Sequence, residues 1–473
     1  MSASPRVFIE TFGCQMNILD SELVQGQLTA LGYDFVKNPD DANIVLFNTC
    51  SVRDLSEQKI LSRLGIMKQR KDKGEDVVVG VLGCMAERAN TDILKKNPHI
   101  DLLVGPSKLD QIPSLLEGLR GTQKVGTQVA LSHFRDRKGK ASLEAQMDSL
   151  EALDSSRFLT GAEAKSQAYI RITRGCNKFC SFCVVPRTRG PESHRSADSI
   201  VDEAKSLVEK GILEITLLGQ TINHYAYVDE AGKTTSFAEL LRRVHDEVPN
   251  LKRLRFLTSY PRDFSDETLD VMASSPRICK YLHIPAQSGS DSVLKRMNRG
   301  YTREIYMSLI ERARKRMPDI NIIGDMIVGF PGETEEDFEA SLSLLREVRY
   351  KNVFVFKYSP RPGTVADRNE ADDISKQVKE ERNQRMLEVQ REVSFNHHQS
   401  MLGQTLDVIV EGLAKIDPDP TVVSLGSSKV RLASRTEGDH IVSLTGPKDL
   451  IGKMVKVKIT QATSLSLSGE LSL

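Results

Sequence analysis

Cys176, Cys180 and Cys183 fall within eight residues of the 473-residue chain, in the stretch TRGCNKFCSFCVVP. The C-x3-C-x2-C spacing puts three thiols on one short loop, and three thiolates so placed are a ligand set for a metal ion or a cluster. A closed zinc tetrahedron or a fully ligated 4Fe–4S cubane takes four protein ligands. Two readings follow. One is a zinc knuckle whose fourth ligand comes from elsewhere, with His194 a nearby candidate. The other is a 4Fe–4S cluster held at three irons, with the fourth open to a non-protein ligand. Between Tyr169 and Ser196 there are six Lys or Arg against one Glu. That balance suits an anionic ligand or RNA phosphate, or it offsets the negative charge of a cluster.

Three further cysteines close short apolar runs. RVFIETFGC ends in Cys14, NIVLFNTC in Cys50 and VVVGVLGC in Cys84, with separations of 36 and 34 residues. Any one of them alone reads as a buried, inert thiol. The helix-like stretches between them, DSELVQGQLTALGY and SEQKILSRLGIMKQRKDKG, make the spacing that of βαβ units. Apolar strands alternating with helices imply a parallel sheet covered on both faces, whose ligands sit beyond the carboxyl ends of the strands. The three cysteines are therefore expected to converge at one edge of one sheet. They form a second candidate cluster site, again with three protein ligands. Cys279 belongs to neither set and reads as a core thiol.

The elements that must position these sets divide the chain into four parts, as expected for a length beyond the roughly 250–300 residues of a single core. Residues 1–133 are read as a parallel α/β domain and 134–166, polar and Ser-rich, as a linker. Residues 167–400 carry six strand candidates, AYIRIT, EITLLG, RLRFLT, YLHIPA, DMIVGF and NVFVFKY, separated by helix candidates. Six βα units are fewer than the eight of a closed barrel, so an open, partial TIM-like barrel is expected, with function at the carboxyl ends of its strands. A long polar helix over Lys376–Gln399 leads to 401–473, where short alternating runs predict a small all-β barrel.

The net charge of +1, from 65 basic and 64 acidic residues, excludes a uniformly basic nucleic-acid coat but not a local basic face. After residue 400 eight Lys/Arg stand against eight Asp/Glu, so any RNA role there rests on one face. No apolar run reaches the about 18 residues of a membrane span, and the start of the chain lacks a signal-peptide core. A cytoplasmic protein without membrane attachment is expected, and in that reducing compartment the seven cysteines favour metal or redox chemistry over disulfides.

A C-x3-C-x2-C loop after the first strand of a partial barrel resembles the radical S-adenosylmethionine (SAM) superfamily. With the second cysteine set and the C-terminal β-barrel, the whole chain resembles the methylthiotransferases, whose last part is a TRAM domain. FGCQMNILDSE, NTCSVRDLSEQK, RGCNKFCSFCVVPRTRG, LHIPAQSGSDSVLKRMNRGYT, IVGFPGETEEDF and YSPRPGT are similar to the MiaB-type branch. Gln15-Met16 stands where the ribosomal-protein branch tends to have Pro-Lys and the threonylcarbamoyl-adenosine branch Lys-Val. The linker is longer and more acidic than that branch's usual one.

The resemblance implies an enzyme that replaces the hydrogen on carbon 2 of isopentenyladenosine, beside the anticodon of tRNA, with a methylthio group. It implies two 4Fe–4S clusters, an auxiliary one on Cys14, Cys50 and Cys84 and a radical-SAM one on Cys176, Cys180 and Cys183. Two SAM molecules are used per turnover, one to methylate a cluster-borne sulfur and one to generate the radical, with both clusters facing one cavity. Candidate SAM contacts are Gly219, Gln220, Gln287, Ser288 and Asp325, each of which also reads as ordinary core or turn packing, and Arg361 reads as a contact to substrate phosphate or as a brace of its loop. GFPGE (Gly329–Glu333) reads equally as a tight turn feeding a helix capped at Thr334. Expected partners are tRNA bearing isopentenyladenosine, gripped by the TRAM-like part with the base splayed out, an electron donor such as flavodoxin or ferredoxin, and sulfur- or cluster-repair proteins. The alternatives are a methylthiotransferase acting on threonylcarbamoyl-adenosine or a ribosomal protein, and, outside enzymes of this type, an iron–sulfur electron carrier or a zinc-containing RNA-binding module.

Overall fold

The structure, a computed structural model, describes residues 4–51, 54–120, 126–132, 151, 153–154, 166–414 and 429–472. It comprises two compact units. The first takes in residues 1–162, 173–179 and 183–195, and the second residues 163–172, 180–182 and 196–473. Most of the expected linker, 134–166, lies outside the described residues.

The first unit is built on a six-stranded, all-parallel sheet. Its strands are β1 (Arg6–Thr11), β2 (Asp34–Phe35), β3 (Ile44–Thr49), β4 (Val78–Gly83), β5 (Leu102–Val104) and β6 (Gln128–Ala130). The order is β2-β1-β3-β4-β5-β6. β3 is buried along its whole length, as a central parallel strand covered on both faces must be. Helices Gln15–Ala30 and Asp54–Asp72 make the return connections. β1, β3 and β4, the three strands that end at cysteines, are neighbours in the sheet. β2, β5 and β6 go beyond the sequence reading, because runs of two or three residues carry too little periodicity to be recognised.

The second unit contains the βα run. β7 (Gln167–Arg171), β8 (Glu214–Leu218) and β9 (Arg253–Phe256) form one parallel sheet. β10 (Tyr281–His283), β11 (Asn321–Val328) and β12 (Asn352–Lys357) form another. A bridge between Leu254 and Ile278 joins the two, supported by Ser259 N–H donating to the His283 carbonyl at 3.0 Å. The result is the expected six-stranded partial barrel. Six of its helices, including the one expected to be capped at Thr334, begin at a Ser or Thr N-cap. Ser196, Ser236, Ser265, Thr302, Thr334 and Ser375 each accept a hydrogen bond from the amide three residues on, and each such cap is worth about 1 kcal/mol. At Thr334 the cap is a full capping box with Asp337.

The long helix, Lys376–Gln399 as read from the sequence, precedes a closed β-barrel. Its strands are β13 (Thr405–Leu413), β14 (Lys429–Thr436), β15 (Ile441–Pro447), β16 (Met454–Ala462) and β17 (Leu467–Leu471). β17 was not foreseen; it closes the barrel by pairing parallel to β15 and antiparallel to β16. Val408, Val410, Leu432, Val442, Leu444, Val457, Ile459 and Leu467 fill the interior. This small barrel is fixed to the amino ends of the large barrel's strands. Arg253, the first residue of β9, donates to the carbonyls of Arg435 and Asp407 at 2.9 and 2.7 Å, and His440 meets Asn321, the first residue of β11, at 2.8 Å.

Candidate functional site

In the first unit Cys14, Cys50 and Cys84 each follow the carboxyl end of a strand, β1, β3 and β4 respectively. Parallel alignment of adjacent strands brings them to one sheet edge, as the spacing predicted. Gly13 has φ +123°, and a Cβ there would lie 2.3 Å from the Cys50 Cβ. No other residue lets the β1 turn come this close to Cys50. Cys14 is also the N-cap of helix Gln15–Ala30. Beneath it Asn48, fully buried, donates to the Asn17 carbonyl and the Ser21 hydroxyl, both at 2.9 Å.

A cation completes this edge. Arg189, with a side chain only 7% exposed, donates to Asp20 at 2.8 Å and to Asn17 Oδ1 at 3.1 Å. The hydrogen bond with Cys50 lowers the Cys14 thiol to about 6 against the opposing effect of burial, with the Arg189 charge also lowering it. Burial pushes the Cys84 thiol above its ordinary value, and Arg189 opposes that shift by charge and by hydrogen bonding.

The second cysteine set straddles the division of the chain, with Cys176 and Cys183 in the first unit and Cys180 in the second. In the first unit a two-residue ladder, Thr173–Arg174 against Ser193–His194, ties the ends of this stretch. Gly175 has φ +66°, and a Cβ there would sit 2.1 Å from the Pro191 carbonyl oxygen. The Lys178 amide points at Cys176 Sγ, 3.4 Å away. In the second unit Cys180 is buried and receives a hydrogen bond from Arg299 Nη1 at 3.2 Å. Arg299 is itself buried. It donates to the Tyr301 hydroxyl and the Pro285 carbonyl, each at 3.0 Å, and lies 5.1 and 5.3 Å from the ring centres of Tyr260 and Tyr301.

Among the described residues, no three His, Cys, Asp or Glu side chains are drawn up to metal-ligand distances. Strand pairing sets Cys14, Cys50 and Cys84 at neighbouring strand ends. Cys279 is a core thiol, buried and pushed up to about 12 by that burial. His194 Nε2 is 3.7 Å from Glu192.

Part of the basic excess of residues 169–196 is paired with carboxylates within the first unit. Arg174 pairs with Asp154 at 2.6 Å, Arg195 with Glu151 at 2.8 Å, and Arg189 with Asp20. Ion pairs within the chain therefore engage three of the six cations.

The remaining candidates lie in the second unit near the carboxyl ends of its strands. Gly219 and Gln220 directly follow β8. Gln287 follows β10 with φ +74°, a left-handed conformation unusual for a non-glycine residue, and its backbone exchanges hydrogen bonds with Asp325 and Ile327 at 2.8 and 2.9 Å. The Ser288 hydroxyl is engaged with Ser341 and the Ser290 amide at 3.3 and 3.2 Å. Asp325 lies on β11, 3.5 Å from His283 Nε2. Arg361 lies beyond β12 in the turn whose carbonyl receives the Thr364 amide at 3.0 Å. GFPGE is a turn. Glu333 is buried, accepts from the Gly329 amide at 2.7 Å and pairs with Arg382 at 2.8 Å. Arg189, Arg299, Asp20 and His283 were not singled out in the sequence. All four stand within the quoted motifs, Asp20 in FGCQMNILDSE, Arg189 in RGCNKFCSFCVVPRTRG, and His283 and Arg299 in LHIPAQSGSDSVLKRMNRGYT, and that was the available signal.

Residues 6–105 match Uncharacterized protein family UPF0004, residues 170–345 the Radical SAM superfamily, and residues 399–472 the TRAM domain. The chain is 43% identical over 469 residues to a tRNA-2-methylthio-N(6)-dimethylallyladenosine synthase of Rhodopirellula baltica, covering 99% of this chain and 96% of that protein. The chain belongs to this synthase family. A second member, from Phocaeicola vulgatus, is 40% identical over 470 residues, with 99% and 96% covered. Among solved structures, the radical S-adenosylmethionine methyltransferase TsrM from Kitasatospora setae, with cobalamin and a [4Fe-4S] cluster bound, aligns at a TM-score of 0.53 and 18% identity over 77% of each chain. At that identity the likeness is one of fold. Family membership bears out the resemblance read from the cysteine motifs.

Proposed function

We infer that this chain is a radical SAM tRNA methylthiotransferase that places a methylthio group on carbon 2 of isopentenyladenosine beside the anticodon. The observation that carries this reading is the second thiol set. A three-cysteine loop alone fits many radical SAM enzymes. A further three cysteines at the ends of β1, β3 and β4, in a chain 43% identical to a methylthioadenosine synthase, narrow it to methylthio transfer.

The donor chemistry fits two 4Fe–4S clusters. Each set offers three soft sulfur donors, one fewer than the cubane accepts, and one buried guanidinium stands beside each set to offset the negative charge of thiolate ligation. Cys14, Cys50 and Cys84 would hold the auxiliary cluster, and Cys176, Cys180 and Cys183 the radical-SAM cluster. When bound, the second cluster with SAM supplies a radical able to take hydrogen from an unactivated C–H bond, a task beyond any general base.

The chain's own residues bind and orient. The Gly13 turn holds Cys14 against Cys50, and Arg299 fixes Cys180 by donating to its sulfur. Gly219, Gln220 and Gln287 follow strand ends, and Asp325 lies within β11 beside the Gln287 backbone; a SAM molecule would be held there. Ser288 serves that site by bracing its turn, because its hydroxyl is already engaged. Arg361 would meet substrate phosphate, and the C-terminal barrel would grip the tRNA stem. An electron donor such as flavodoxin or ferredoxin would reduce the loop cluster, and sulfur- or cluster-repair proteins would restore the auxiliary one. No helix among the described residues is long and apolar enough to cross a membrane, and work on tRNA supports a cytoplasmic reading.

Mass spectrometry of tRNA nucleosides tests the reading. Cells lacking the chain should accumulate isopentenyladenosine and lose its 2-methylthio derivative, and the purified chain with SAM and a reductant should restore it. Methylthio product on threonylcarbamoyl-adenosine or on a ribosomal protein instead would overturn the substrate assignment.

A further inference from the structure

Arg189 stands six positions after Cys183 in sequence, yet its guanidinium reaches the other thiol set. Its backbone is set by the short helix Val185–Thr188, with the Arg189 amide donating to the Val185 carbonyl at 2.8 Å. That helix packs on helix Cys84–Ala89 in the first unit. From there the side chain runs inward to fully buried Asp20 and Asn17, both on the first turns of the helix that Cys14 caps. Asn17 Oδ1 accepts from Arg189 at 3.1 Å and also faces the Cys14 thiol, 3.7 Å away, so the guanidinium and the Cys14 sulfur meet on one amide, and the charge is felt at Cys14 and Cys84 as well as at Asp20.

A salt bridge kept only for stability would be an odd choice here. Replacing a buried ion pair with apolar groups is often neutral or stabilising, because desolvation of both charges offsets their attraction. Arg189 and Asp20 make sense together if the site also receives negative charge. Three thiolates and a cluster bring such charge into a region with little water, and a guanidinium can hold Asp20 and Asn17 with one nitrogen while presenting the rest of its positive edge to sulfur. Cluster potentials follow net charge and hydrogen bonds to the sulfurs.

We propose that Arg189 is a positioning residue for the auxiliary cluster, supplying the positive charge that faces its sulfur ligands, and that Asp20 both aims this charge and attenuates it. The inference rests on the reading that Cys14, Cys50 and Cys84 hold that cluster. It ties the loop that follows the radical-SAM cysteines to the electrostatics of the other thiol set.

The test uses the full chain with Cys176, Cys180 and Cys183 replaced by alanine, reconstituted with iron and sulfide, so that only the N-terminal set is read. Iron per chain and the midpoint potential from an EPR-monitored redox titration are compared for this parent and for R189K, R189Q and D20N. R189Q should shift the potential negative, D20N should shift it positive, and R189K should stay near the parent. If R189Q fails to hold iron, the opposite sign in D20N and the rescue by R189K still decide the matter. Equal potentials across the set at full iron content would reduce Arg189 and Asp20 to a structural brace and overturn the inference. A parent that binds no iron would overturn the cluster assignment itself, and that outcome appears in the iron count before any potential is measured.

Discussion

The two thiol sets reach similar chemistry by opposite routes. The loop set is local: Cys176, Cys180 and Cys183 span eight residues, so the chain needs only a tight turn to group them. The N-terminal set is spread from Cys14 to Cys84, and only the alignment of β1, β3 and β4 brings it together. Each set has a buried guanidinium, but the two are balanced differently. Arg189 is partnered by a carboxylate, Asp20. Arg299 is held by neutral groups, the Tyr301 hydroxyl, the Pro285 carbonyl and two aromatic rings, and its charge is felt by Cys180. The difference teaches that ligand count alone does not describe these sites. Among the described residues no carboxylate pairs with the arginine on the Cys180 side, whereas the N-terminal edge carries a cation and an anion together.

The comparison is broken most directly at the ligands. Cys180→Ala and Cys50→Ala should each lose about four iron atoms per chain, one cubane's worth. Cys180→Ala should abolish SAM cleavage and Cys50→Ala the methylthio product, as read by iron analysis and product mass spectrometry. Full iron in either variant would show that its set is not a cluster site.

Next in size are the glycines. Ala at Gly13 or Gly175 meets Cys50 Cβ at 2.3 Å or the Pro191 carbonyl oxygen at 2.1 Å, each at positive φ. Strained backbone of this kind costs on the order of 1–3 kcal/mol. Gly13→Ala should deplete iron from the N-terminal set and Gly175→Ala from the loop set, each read in a background lacking the other three cysteines.

Arg299→Met sharpens the electrostatic half of the comparison. It removes the donor to Cys180 Sγ and two further hydrogen bonds, costing about 1–3 kcal/mol, and should lower the melting temperature and the rate of SAM cleavage. Tyr301→Phe removes the neighbouring brace and spares the sulfur contact. It should lower the melting temperature with a smaller effect on cleavage; equal loss of cleavage in both would mean that Arg299 acts only as a brace.

The second unit should also lose stability in acid. Burial, His398 and the nearby cations Lys351 and Arg314 lower His397 from 6.5 to about 4. The unfolded chain therefore binds a proton that the folded one refuses, and stability present above pH 6.5 falls as the pH drops towards 4. Thermal melts between pH 7 and 4 should show the decline, and His397→Asn should lessen it without removing it, because burial lowers His398 and His440 in the same way. The smallest expected effect is Thr334→Ala, which breaks the capping box and costs about 1 kcal/mol in denaturant unfolding without changing iron content.

Much of this architecture was legible because its causes are local. Apolar runs marked the six strands of the large barrel, and Thr334 marked the start of its helix. The regular separation of Cys14, Cys50 and Cys84 pointed to adjacent parallel strands. β2 and β5 were missed because they are too short to show a period. β17 was missed because its SLSGEL sequence is weakly apolar. The docking of the C-terminal barrel was invisible for another reason: Arg253 is one arginine among many until β9 presents it to the Arg435 and Asp407 carbonyls.

By itself the sequence determined the ligands: which sulfurs are available, that each set has three, and that one set is a loop and the other a sheet edge. These follow from spacing and from periods of two and 3.6 residues, which act over a few positions of chain. Only the tertiary structure decided the charge around them. Arg189 finds Asp20 at a separation of 169 residues, and Arg299 finds Cys180 at 119. Electrostatic energy depends on distance in space and on burial, and neither is written in the order of residues along the chain.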